Sequence, residues 1–176
     1  MVQFINNSQS YILECGRKLG YSLKIIEHDL NSDNCEDRSN ILGVSLRDIV
    51  KSLYFCSNGT FIGVILPGDF PRVEPKNLFP EILGMSKSKA NKYSLKRVPS
   101  GMSYGTCTPF PEKELIPEEI EFLLVWNGSI ERTVYSALGG EDDLSHRLSL
   151  QLPSYDSIYQ ILIKEFGNNV VKSFNL

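Results

Sequence analysis

One hairpin constrains this chain more than any other feature in it. The run Ile49-Val50-Lys51-Ser52-Leu53-Tyr54-Phe55 is apolar and rich in β-branched and aromatic residues, which suit a pleated, half-buried surface. It leads into Asn58-Gly59, a dipeptide that accepts positive φ at both central positions of a tight turn. A second apolar run, Thr60 to Leu66, follows and stops at Pro67-Gly68. Lys51 is the anomaly of the hairpin. Alternate residues of a strand share a face, so Lys51 is expected to lie with Ile49, Leu53 and Phe55. A lysine on such a face either extends its ammonium to the edge of the sheet or holds something negative.

The remaining elements are read around this hairpin. Residues 8–19 and 153–166 have helical patterns closed by Gly20 and Gly167. Asp33 followed by Glu36 predicts a capping-box start to a short helix ending near Gly43. Pro75 suits the first position of a helix that Pro80 should cut short. Residues 86–93 predict another short helix. Strands are expected at 22–27, 95–98, 147–152 and 170–174, and a second hairpin at 122–126 and 130–137 about Asn127-Gly128. Pro99 to Pro111 is too rich in proline and glycine for regular structure, yet Met102, Tyr104, Cys107 and Phe110 call for burial there. With 176 residues, these elements predict one α+β domain, 1–176: a mixed, mostly antiparallel β-sheet with flanking helices.

No apolar run reaches the roughly 20 residues of a membrane helix, and the N-terminus lacks a basic-then-apolar leader. A cytoplasmic protein with no membrane partner is expected. Cys15, Cys35, Cys56 and Cys107 are far apart and only two histidines are present, so neither a metal site nor a cofactor is expected. Net charge is −3, but Lys87, Lys89, Lys92, Lys96 and Arg97 fall in a stretch without acids. That patch is either a solvated surface or an electrostatic footprint for a polyanion.

No nucleophile elbow, phosphate loop, dinucleotide fingerprint or zinc-protease helix is read in the chain. Chemistry then falls to Lys51 and two loops. In Gly105-Thr106-Cys107-Thr108-Pro109, the glycine permits close backbone approach and the proline fixes the far end, so the intervening N–H groups can cradle a carbonyl or an oxyanion. Cys107 with His146 as its base would make a thiol hydrolase, although nothing in the sequence activates the thiol.

Taken in order, Ile26-Glu27-His28, Leu42-Gly43-Val44, Ile49-Val50-Lys51-Ser52-Leu53 and Leu66-Pro67-Gly68-Asp69 resemble the YbaK and prolyl-tRNA synthetase editing-domain family. Gly105 to Pro109 looks like that family's GxxxP loop. Gly139-Gly140 followed by His146 is similar to its glycine-containing segment and histidine. The resemblance spans about residues 20–152. It implies a free-standing aminoacyl-tRNA deacylase that removes a small mischarged amino acid (alanine, cysteine, serine or threonine) from tRNA(Pro), with a prolyl-tRNA synthetase as a second partner. It implies that Lys51 anchors the terminal adenosine phosphate or the ester. Gly105, Thr106, Cys107, Thr108 and Pro109 would hold the carbonyl and aminoacyl group, and His146 would sit beside the amino acid. Ser136, Gly139 and Gly140 would line the opposite wall, and Lys87, Lys89, Lys92, Lys96 and Arg97 would contact tRNA phosphates. Two departures accompany it: the spacing from Gly139-Gly140 to His146, and the polar Thr-Cys-Thr centre of the GxxxP loop. The alternatives are a non-catalytic relative that binds aminoacyl-tRNA or a partner protein with the same cleft, and the thiol hydrolase.

Overall fold

The computed structural model of the protein describes residues 5–128 and 131–175. Strand β2 (Val50–Ser57) and strand β3 (Thr60–Pro67) form the expected hairpin. Its turn places Asn58 and Gly59 at φ 52° and 79°, as their side chains allow. The hairpin is one half of a mixed sheet of order β2-β3-β4-β7. Here β4 is Ile120–Trp126 and β7 is Val171–Phe174. The β3–β4 and β4–β7 ladders are parallel. A second, antiparallel sheet has the order β1-β6-β5, from Lys24–Glu27, Leu148–Leu152 and Val134–Ser136. Three of the five ladders are thus antiparallel, and the architecture is the expected α+β class, divided over two sheets. A single parallel bridge from Ile49 to Tyr135 joins the two sheets.

Alternation along β2 decides which core each residue enters. Val50, Tyr54 and Cys56 face the larger core with helix α1 (Tyr11–Lys18) and helix α5 (Asp156–Phe166). Phe55 and the partly buried Leu53 face a second core beneath helix α3 (Pro75–Leu83) and helix α4 (Lys87–Ala90). Phe55 meets Phe79 edge-to-face, with ring centroids 5.7 Å apart, a favoured aromatic geometry. Lys51 therefore lies on the side of Leu53 and Phe55, as the pleat predicts.

Several expectations are corrected. The hairpin about Asn127-Gly128 does not form: β4 pairs in parallel with β3 and β7, and β5 belongs to the other sheet. Leu123, Leu124 and Val125 are at most 1% exposed, so β4 is a central strand covered on both faces, the place where parallel pairing is found. Residues 129 and 130 of that proposed hairpin lie outside the described residues. The segment 95–98 is not a strand. Only Ser94 pairs, with Cys56, and Leu95 is 45% exposed. Helix α3 continues past Pro80 to Leu83, since burial of Leu78 and Phe79 outweighs the lost backbone donor. Helix α2 (Cys35–Leu42) is capped by Asn34, whose side chain accepts from Asp37 N–H at 2.8 Å. The cap is one residue later than predicted, which leaves the Asp33 carboxylate for another role.

Candidate active site

The two sheets meet at Ile49 and Tyr135, and a cavity of about 580 Å³ opens beside that junction. The start of β2 forms its floor, the N-terminal turn of α2 one wall, and the irregular segment 95–107 another. Its size is that of a small-molecule site. Of the expected residues, Lys51, Gly105, Cys107 and Arg97 line it. Lys51 Nζ donates to the Phe70 carbonyl at 2.9 Å. That bond fixes the ammonium without neutralising it, so the charge is still available to a ligand.

The loop 105–109 is packed from behind. Gly105 has φ 105°, and a Cβ there would lie 2.9 Å from the Asp33 backbone, so glycine is required. Thr106 is fully buried, and its hydroxyl donates to Gly140 O at 2.6 Å. Thr108 O accepts from the buried Tyr54 hydroxyl at 2.6 Å. Pro109 is buried. Ser136 is fully buried and bonds to Ala137 O; its neighbour Ala137 is the residue that reaches the cavity. Gly140 N–H donates to Gly101 O at 2.7 Å, and a Cβ on Gly140 would lie 2.0 Å from Ser145 Oγ. Thr106, Thr108, Pro109, Ser136, Gly139 and Gly140 thus stand behind the cavity lining, not in it. Cys35, Leu46 and Leu95, none of them expected from the sequence, are among the residues that do line it.

His146 sits in a 3-10 turn, Leu144–Arg147, outside the cavity lining but against the lining residue Asp33. Its Nδ1 lies 3.0 Å from Asp33 Oδ1 and its Nε2 3.2 Å from Ser103 Oγ. Cys107 donates to Ser103 O at 3.5 Å, and burial pushes its thiol up to about 11. Burial also raises Cys35, the other thiol of the cavity. A thiol kept protonated is a poor nucleophile, and the contact of His146 Nε2 is with serine. The arrangement does not favour the thiol hydrolase. Lys87, Lys89, Lys92 and Lys96 are exposed, on and just beyond α4. Arg97 is also exposed and continues the row to the cavity mouth. Tyr104, expected to be buried, is 62% exposed beside Leu95, whose carbonyl its hydroxyl reaches at 3.4 Å.

Two residues escaped the sequence reading. Arg38 of α2 is 3% exposed and lines the cavity. It donates to Leu148 O at 2.8 Å, to Ser149 Oγ, and to Gly105 O at 3.4 Å. No carboxylate pairs with it among the described residues, and desolvation lowers its pKa to about 10. An arginine among Glu36, Asp37 and Ser39 gives no sign that it will be buried. Ser103 did leave a sign: Gly101-Met102-Ser103-Tyr104-Gly105 has the glycine-x-serine-x-glycine spacing that the sequence reading passed over. The segment runs through turns and not from a strand into a helix, so it lacks the context of a nucleophile elbow.

No family model and no curated protein matches the sequence. Solved structures share the fold. The hypothetical protein APE2540 is similar at 23% identity over 92% of this chain and 97% of that one, with a TM-score of 0.60. A scaffold protein from epitope backbone grafting by computational design is similar at 14% identity over 98% and 97%, also at 0.60. A proposed trans-editing enzyme for prolyl tRNA synthetase is similar at 13% identity over 98% of each chain, at 0.52. At these identities the likeness is one of fold.

Proposed function

We propose that the chain is an aminoacyl-tRNA deacylase acting in trans, which hydrolyses the ester of a small mischarged amino acid on tRNA(Pro). The observation that carries the reading is the position of Lys51 and the Gly105 loop in one cavity, at the place where a basic surface reaches its mouth. The shared fold with a proposed trans-editing enzyme supports it. An aminoacyl ester is already activated, so positioning and oxyanion stabilisation suffice for a large acceleration. Lys51 binds the terminal phosphate or the ester oxygen. The Gly105 backbone receives the carbonyl, Cys107 meets the side chain, and His146, beside Asp33, manages the proton. The row from Lys87 to Arg97 guides the acceptor end. A prolyl-tRNA synthetase is the natural second partner of such an activity.

Deacylation of tRNA(Pro) charged with alanine, cysteine, serine or threonine tests this reading. One amino acid should be released rapidly, and Lys51→Ala should slow that release by about a hundredfold, the usual effect of losing one transition-state contact. Failure to release any of the four, with tRNA still bound, would replace the deacylase with a non-catalytic binder.

A further inference from the structure

Three polar side chains from distant segments converge beside the cavity; Asp33 lines it, and Ser103 directly precedes the lining residues Tyr104 and Gly105, while Ser103 and His146 are not themselves in the lining. Asp33 precedes α2, Ser103 lies in the loop 99–111, and His146 lies in the turn before β6. Asp33 Oδ1 is 3.0 Å from His146 Nδ1, and His146 Nε2 is 3.2 Å from Ser103 Oγ. A carboxylate beside Nδ1 favours the tautomer with its proton there. That leaves the Nε2 lone pair facing the serine hydroxyl. The Asp33 contact is at ion-pair distance but off hydrogen-bond alignment, the looseness usual before substrate tightens a site.

The serine itself is held in place. Its N–H donates to Thr106 Oγ1 at 2.9 Å, and its carbonyl accepts from Thr106 N–H at 3.1 Å. The Thr106 hydroxyl hydrogen is committed to Gly140 O. The Ser103 hydroxyl therefore donates either to His146 Nε2 or to Thr106 Oγ1, which is 3.1 Å away. The next two N–H groups, of Tyr104 and Gly105, donate to no protein acceptor among the described residues. Both residues line the cavity, so donors suited to an oxyanion directly follow the hydroxyl.

We propose that Ser103 is a nucleophile, activated by His146 and oriented through Asp33, which forms an acyl-serine intermediate with carboxylic esters. This rests on reading the cavity as an ester site, and it names the group that reading leaves open. Ser103 Oγ bonds to the ester carbonyl carbon while its proton passes to His146 Nε2. Collapse of the tetrahedral adduct breaks the bond to the alcohol, which leaves with that proton. Water then adds to the acyl-serine, giving a proton to Nε2. Collapse releases the acid, and Ser103 regains its proton.

A fluorophosphonate probe on the intact protein, read by peptide mass spectrometry, tests the serine without tRNA. One adduct on Ser103 is expected, with labelling slowed at least about a hundredfold in His146→Ala. A burst of p-nitrophenol from p-nitrophenyl acetate, stoichiometric with protein, should accompany it. Ser103→Ala should lose deacylation of mischarged tRNA; because the adduct is sought on the wild-type chain, poor folding of that variant does not blunt the test. An unlabelled Ser103, with Ser103→Ala deacylating tRNA at the full rate, overturns the proposal and leaves the deacylase reading standing. An adduct and a burst without deacylation of any charged tRNA support the serine and remove tRNA as the substrate.

Discussion

Cys107 shows how burial decides chemistry within the loop it occupies. Its thiol lies against apolar surroundings and donates only to a carbonyl, so the thiolate is disfavoured and its pKa rises from 9.0 to about 11. The sign of the linkage follows. Between pH 9 and 11 the unfolded chain releases a proton that the folded chain keeps, so the contribution of this thiol falls as pH rises. Urea unfolding at about pH 8 and about pH 10.5 reads it directly. The stability of the wild type relative to Cys107→Ala should fall by about 2 kcal/mol between the two. A difference that does not move with pH would mean that the thiol ionises freely. Arg38 is the opposite case, a cation that stays charged despite burial because backbone carbonyls and Ser149 accept hydrogen bonds from its guanidinium. Its bond to Gly105 O couples α2 to the Gly105 loop in the cavity lining. A sequence position cannot reveal such a role, because the partners are main-chain atoms 67 and 110 residues away.

The hairpin β2–β3 and the failed hairpin at Asn127-Gly128 carry the same dipeptide, and they show what was legible. Asn-Gly favours a turn but says nothing of which strand lies alongside. For β2 and β3 the two apolar runs were adjacent and of equal length, so local pairing satisfied both. For β4 the buried run Leu123-Leu124-Val125 needed cover on both faces, and the centre of the mixed sheet supplied it. The loop 99–111 was legible as packed but irregular, because prolines and glycines excluded helix and strand while Met102 and Phe110 required burial. The meeting of Asp33, Ser103 and His146 was not, since it depends on the Asn34 cap and on how two loops cross. The Tyr54 hydroxyl ties the loop to the sheet through Thr108 O, at 2.6 Å in a buried setting. Tyr54→Phe leaves that carbonyl without its donor, at a cost of about 1–3 kcal/mol. A urea midpoint unchanged by the substitution would show that this hydrogen bond contributes nothing to holding the loop.

Charge over the whole molecule is arranged rather than merely negative. The chain carries −3, yet the cavity has Arg38, Lys51 and Arg97 in its lining together with Asp33 and Glu36. An aminoacyl ester on tRNA has matching polarity: an ammonium at its tip and phosphates behind. In the proposed reading, the acids beside α2 suit the ammonium, and the exposed row Lys87, Lys89, Lys92, Lys96 and Arg97 suits the phosphates. Phosphate contacts of this kind release counterions and carry no sequence information, so they weaken steeply with salt and equally for all tRNAs. Reversing Lys89 and Lys92 to glutamate should therefore weaken tRNA binding far more at about 50 mM than at about 200 mM salt, and should lower the salt slope by about 1 for each lysine that contacts a phosphate. Both lysines are exposed and neither makes an ion pair among the described residues, so the fold should tolerate the change and melting temperature should hold. Equal affinity for wild type and variant at low salt would return α4 to ordinary solvated surface and leave Arg97 as the cation that meets the polyanion at the cavity mouth.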